Sequence, residues 1–270
     1  MTSAQADAPS PAAALSCREL SKSFGGVAAV NDASFDVTAG TVTALIGPNG
    51  AGKSTVVNLV SGFLAPDAGS VRLGEAAVTG WPSHRLARAG MIRTFQLSRE
   101  LQGLTVLENL LVTPIGQAGE SLFNIYFRPG LVRREERRHI ERALSVLREY
   151  GLYEVRDNWA RELSGGQKRL LELARAVMAS PRLLLLDEPL AGVNPALIDQ
   201  IGAHILRLKA AGVTVLMVEH NLGVVEQICD HVIVLAEGRT LATGLMSELR
   251  DNAEVVRAYL GGVLDARVDG

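Results

Sequence analysis

Residues 47–54 read GPNGAGKS, and no other stretch narrows the possible folds of this chain so far. It fits G-x-x-x-x-G-K-[ST] without a mismatch, between the apolar strand TVTALI and the helical run KSTVVNLVSG. Glycine lets the backbone of Gly47, Pro48, Asn49, Gly50, Ala51 and Gly52 wrap an anion, and the helix start behind it adds positive potential. Lys53 is expected to reach the β- and γ-phosphates of a nucleotide and Ser54 to hold Mg2+, with Thr55 completing the binding stretch. A strand feeding such a loop and helix implies an α/β nucleotide-binding core.

The rest of the chain must supply that core and its chemistry. At 270 residues it is long enough for one large domain with a subdomain. Its 27 Lys+Arg balance 29 Asp+Glu, so no global field invites nucleic acid. Apolar runs such as LLLL (183–186) and VIVLA (232–236) are far short of a spanning helix, which needs roughly 18 residues. The opening MTSAQADAPSPAAAL has neither the basic nor the apolar region of a secretory signal; residues 1–14 are expected to be a disordered tail. Cys17 and Cys229 lack any metal-type spacing and are expected to be buried free thiols in a reducing compartment.

From Leu15 to about Leu73 the pattern is strand-like and broken once, by the helix after the glycines. MIRTFQ (91–96) reads as a further strand. Residues from about 100 to 180 read as an inserted helical subdomain. Thr105 and Glu108 stand at capping-box spacing, and the helix ending at Gly151 has Ile140, Leu144 and Leu147 on one face. From 182 onward RLLLLDEP, VTVLMVEH and HVIVLAEG alternate with helices, the signature of a buried parallel sheet. The expected fold is therefore α/β: a P-loop NTPase core with a mainly parallel sheet, an N-terminal antiparallel β portion and the helical insertion. The domain is bounded at about 15–262, with 263–270 as a C-terminal tail.

Two further motifs carry chemistry. LLLLDEP puts Asp187 at the C-terminal end of an apolar strand, where ligands of parallel α/β sheets sit; it is expected to meet Mg2+ through water. Glu188, next to it, can polarise an attacking water. The second motif is LSGGQ. Ser164 is a good N-cap, and Gly165 and Gly166 leave early helix N–H groups free for an outside anion, with Gln167 beside them. This turn has no lysine or acid pair of its own, so it suits a site belonging to another copy. Two chains set head to tail would each complete the other's site.

GPNGAGKST, LSGGQ and LLLLDEP, in that order, resemble the ATP-binding subunits of ABC transporters, over about 15–260. The resemblance implies ATP with Mg2+ as the cofactors. It also implies that Gln96 of RTFQ senses Mg2+ and the attacking water at a hinge, that His220 of VEHN contacts the γ-phosphate, and that Phe24 of KSFGG stacks on adenine. After DEP, Asn194 of LAGVNP stands where most members carry Asp. LAGVNP, RTFQ, LTVLENLLV, VEHNLGVV and VVRAYLGG resemble the branched-chain (hydrophobic) amino-acid uptake branch, and 116–130 falls where that branch carries an insertion.

The expected function is therefore ATP hydrolysis powering amino-acid import. The resemblance implies a second ATP-binding subunit, identical or related, integral membrane permease subunits, and indirectly an extracytoplasmic substrate-binding protein. The expected location is cytoplasmic, peripheral on the inner face of the cell membrane. Urea, another small solute or an export role are the alternatives within the family. A soluble ATPase acting on ribosomes or DNA fits less well: the chain has one ATPase half and no sustained heptads, and RREERR (133–138) interleaves Glu with Arg as a solvated face does. A non-hydrolysing regulator conflicts with Lys53, Asp187, Glu188 and His220.

Overall fold

The computed structural model describes residues 13–94, 99–115, 117, 119 and 122–265. In chain order the strands and helices begin with β1 (Ala13–Phe24), β2 (Val27–Thr38), β3 (Val42–Ile46) and α1 (Lys53–Val60). Next come β4 (Ala68–Leu73), β5 (Ala76–Ala77), α2 (Ser83–Arg88), β6 (Met91–Arg93) and α3 (Val106–Leu111). The helices α4 (Leu122–Phe127), α5 (Pro129–Glu149) and α6 (Gly165–Met178) follow, then β7 (Leu183–Asp187) and α7 (Pro195–Ala210). The chain closes with β8 (Thr214–Val218), α8 (Leu222–Ile228), β9 (His231–Ala236), β10 (Arg239–Gly244), α9 (Met246–Leu249) and α10 (Ala253–Asp265). These elements form two compact units, Met1–Pro82 with Ile205–Gly270, and Ser83–His204.

In the first unit β1 pairs antiparallel with both β2 and β4, giving the expected N-terminal antiparallel sheet. A second set of strands centres on β3, which runs parallel to β8 and β9, while β10 closes antiparallel on β9. All five residues of β3 and of β8 are buried, which is why VTALI and TVLMV show no polar alternation. The β9–β10 hairpin turns through Glu237 and Gly238, both at positive φ (49° and 74°), the geometry of a two-residue type I′ loop. β1 opens at Ala13, so residues 13 and 14 of the expected tail are strand, and α10 runs three residues past the expected boundary at 262.

In the second unit β6 runs parallel to β7, and α3, α5 and α6 pack on one another. Thr105 accepts from the Glu108 N–H while the Glu108 carboxylate accepts from Thr105 N–H, so the capping box forms as its spacing predicts. Leu170, Leu173 and Ala174 of α6 are buried together. The α5 face is corrected: Val132, Ala143, Val146 and Leu147 are its buried residues, while Ile140 points to solvent. Leu144 is half-buried, because the core stripe lies one residue off the expected one. His204 of α7 stacks on Tyr150 at 4.0 Å between ring centroids, both buried, an aromatic clasp with no signature in either local stretch.

Cys17 is fully buried and Cys229 half-buried, and both are free. Burial pushes both thiols up, Cys229 to about 12, so both stay protonated at neutral pH.

Candidate functional site

The phosphate loop belongs to the first unit. It leaves β3 at Gly47, where an added Cβ would lie 2.1 Å from the Leu235 carbonyl oxygen. At Gly52, the left-handed N-cap of α1 (φ 94°), a Cβ would lie 2.3 Å from the Ala29 carbonyl oxygen. Both glycines are therefore demanded by neighbouring backbone as well as by the turn. The loop is fastened by hydrogen bonds from Ala51 N–H to Pro48 and from Gly238 N–H to Ala51. Lys53 is buried, and its ammonium donates to the carbonyls of Gly47 and Pro48, both at 2.8 Å. Its charge is thereby held against the backbone of the loop. Ser54 is exposed in the first turn of α1, with Thr55 beside it.

Tyr259, on α10, brings its hydroxyl to the Gly47 backbone, and burial drives its phenol up to about 12. No local motif marks this tyrosine, since its partner is over two hundred positions away. The same unit carries two residues named from the resemblance. Phe24 ends β1 half-exposed, with the Lys22 ammonium 5.8 Å from its ring centre. His220 is exposed just beyond β8, its backbone N–H donating to the buried Glu219 carboxylate.

The acid pair belongs to the second unit, at the end of β7. The Asp187 carboxylate accepts from the Arg93 guanidinium of β6 at 2.8 Å, and Arg93 is nearly buried. Glu188 sits at φ 48°, a left-handed conformation that costs a non-glycine residue of order 1 kcal/mol and is concentrated at functional turns. The Arg169 guanidinium donates to the Glu188 carbonyl at 3.0 Å and pairs with Glu172 at 2.9 Å, holding that turn from α6. Arg93 and Arg169 were not legible as site residues, because each works on a partner 19 or more positions away.

The second glycine turn caps α6. Ser164 accepts from Gln167 N–H and Gln167 returns the bond to Ser164 N–H, a reciprocal capping box. Gln167 is thus fixed by the helix start. An added Cβ at Gly165 would meet open space, whereas one at Gly166 would lie 2.8 Å from the Leu197 side chain. A cavity of about 540 Å3 lies here, lined among others by Ser164, Gly165, Lys168 and Asn194. The Asn194 side chain accepts from Leu197 N–H at 2.9 Å, capping α7; the Asn side chain meets this need as an Asp would. Gln96 lies outside the described residues.

Comparison with known proteins follows the same lines. The ABC transporter family pattern matches residues 30–191. A probable branched-chain amino acid transport ATP-binding protein LivG from Archaeoglobus fulgidus is 42% identical over 92% of this chain and 95% of its own. The high-affinity branched-chain amino acid transport ATP-binding protein BraF of Pseudomonas aeruginosa is also 42% identical, over 90% of this chain and 95% of its own. Among solved structures, the ADP conformation of an ATP-binding cassette of an ABC transporter superposes with a TM-score of 0.80 at 38% identity, covering 92% of this chain and 99% of that one. Loop, acid pair and glycine-capped helix, together with these likenesses, place the chain in the ABC transporter family, as one of its ATP-hydrolysing subunits.

Proposed function

We propose that this chain powers the import of branched-chain and other hydrophobic amino acids through separate membrane subunits. The observation that carries the substrate class is the 42% identity, over nearly the full length of both chains, to proteins named for branched-chain amino acid transport. No described helix is long and apolar enough to cross a membrane, which agrees with a peripheral subunit that acts on permease partners at the inner face of the cell membrane. An extracytoplasmic binding protein would deliver the solute to those partners.

In this reading Lys53 and the loop N–H groups neutralise the β- and γ-phosphates, and Phe24 stacks on the adenine. Glu188 takes the proton of the attacking water, its turn braced by Arg169, and His220 and Gln96 contact the γ-phosphate and the water. The Ser54 hydroxyl and the Asp187 carboxylate are hard oxygen donors, the type that Mg2+ takes with several of its waters retained. Mg2+ bound with the nucleotide would neutralise charge on the transferring phosphoryl group. The Ser164–Gln167 cap, with Gly165 and Gly166, meets the γ-phosphate held by a second ATP-binding subunit, identical or related. Closure on ATP and reopening after hydrolysis then drive the permeases.

The test is uptake of labelled leucine, isoleucine, valine, other amino acids and urea in cells lacking this chain, restored with it, or restored with Glu188→Gln. Uptake of hydrophobic amino acids restored by the intact chain alone is expected. Restoration of urea or another solute instead would overturn the substrate class.

A further inference from the structure

The helical unit presents a surface that its own packing leaves uncovered. On α4, Phe123, Tyr126 and Phe127 are 59, 78 and 72% exposed, and Leu131 at the start of α5 is 47% exposed. The Phe123 and Phe127 rings lie 4.8 Å apart at helical spacing, so they share one side of α4. Single exposed apolar residues are ordinary, but three large aromatics on one six-residue helix, followed in sequence by an exposed leucine, are not.

Backbone hydrogen bonds join α4 to α5. The Arg128 N–H donates to the Asn124 carbonyl, and the N–H groups of Leu131 and Val132 donate to the Arg128 carbonyl, so α4 runs into α5 through a bonded elbow. Val132 is buried, and Gln117 donates to the carbonyls of Leu111 and Pro114 at the end of α3.

Charge follows the aromatics directly. Residues 128–138 hold five arginines against two glutamates, and all five arginines are exposed. Leu131, Arg134 and Arg138 stand at i, i+3 and i+7, one line along the solvent side of α5 that leads away from the aromatic end. Rings beside a line of guanidiniums match the border between lipid tails and acidic headgroups: aromatics settle at the headgroup level and arginines meet phosphate.

We propose that the aromatic end of α4 and the arginine line of α5 form a docking surface for an anionic phospholipid bilayer. The inference takes its setting from the peripheral-membrane reading but is independent of the solute moved. It gives the subunit a hold on lipid besides its hold on the permeases.

The test uses the purified full-length chain and sedimentation with vesicles of pure phosphatidylcholine, or of equal parts phosphatidylcholine and phosphatidylglycerol. Wild type is expected to pellet with the anionic vesicles and not the neutral ones, and to be released as salt rises. Phe123→Ser/Tyr126→Ser/Phe127→Ser should abolish pelleting, and Arg134→Glu/Arg138→Glu should weaken it at least about fivefold per arginine. ATP hydrolysis should be unchanged in both variants, which also shows that they are folded. Failure of wild type to pellet, equal binding to neutral vesicles, or variants that bind like wild type would each overturn the proposal. So would binding only to vesicles that carry permease subunits, which would assign the surface to a protein partner. Vesicle binding alongside failed amino-acid uptake would count against the proposed solute alone.

Discussion

Replacing Gly47 by alanine should disable ATP hydrolysis through displacement of the phosphate loop. The added Cβ would sit 2.1 Å from the Leu235 carbonyl oxygen, whereas real Cβ contacts essentially never fall below 3.0 Å. The difference, 3.0 minus 2.1, requires a movement of about 0.9 Å. The obstacle is backbone in the buried strand β9, so the loop must yield. Misplacing a reacting group by about 1 Å costs on the order of 100-fold in rate, and that is the expected loss in kcat/KM for Gly47→Ala. Gly40→Ala is the control: Gly40 also lies at positive φ, 69° against 154° for Gly47, but has nothing within 4 Å of the new Cβ. It should cost about 1 kcal/mol of stability and leave hydrolysis intact. Phosphate release against ATP concentration, with urea unfolding of both variants, separates the two effects. A Gly47→Ala protein working at the wild-type rate would refute the steric reasoning, and an equal loss in Gly40→Ala would reduce it to general strain.

Three further outcomes are expected. Glu188→Gln should lower turnover by about 100- to 10,000-fold while ATP binding, read by a fluorescent analogue, persists; unchanged turnover would remove Glu188 from the water-activating role. Ser164→Ala should destabilise the start of α6 by about 1 kcal/mol, visible as faster hydrogen exchange there, whereas Ser164→Thr should retain most of the cap. The third outcome concerns pH. Asp230 is held below the ordinary carboxylate range despite partial burial, because Lys209 and the Val42 N–H bond its charged form. Its contribution to stability is therefore complete above the unfolded carboxylate value of about 4 and lost as pH falls through the lower folded value. The gap in urea midpoint between wild type and Asp230→Asn should accordingly shrink as pH drops below about 4, and a gap constant with pH would contradict the assignment.

What could be read from sequence was what chemistry compresses into a short window. Gly47 to Ser54 needs consecutive residues because one turn wraps one anion, and the Thr105–Glu108 box needs two residues a helical turn apart. The all-buried strands VTALI and TVLMV were legible for the same local reason. What escaped was built by pairs distant in sequence. Arg93 reaches Asp187, Tyr259 reaches Gly47 and Tyr150 stacks on His204, and in each case neither stretch alone announces the other. The α5 core face was misjudged at Ile140 because a 21-residue helix carries more apolar positions than its packing uses. Within the loop after β7, the helix-capping role of Asn194 became clear only once α7 was seen to start at Pro195.

The central mechanistic claim is that the chain holds one part of each of two nucleotide sites: the phosphate loop of one copy and the glycine cap of the next. Its most direct test is phosphate release by Ser164→Arg and Lys53→Ala chains, separately and after mixing, with exchange into mixed dimers verified by differential labelling. Each mixed dimer keeps one intact pairing of loop and cap. Two inactive preparations that recover activity on mixing are the predicted result, whereas mixed dimers that form and remain inactive would contradict a shared site.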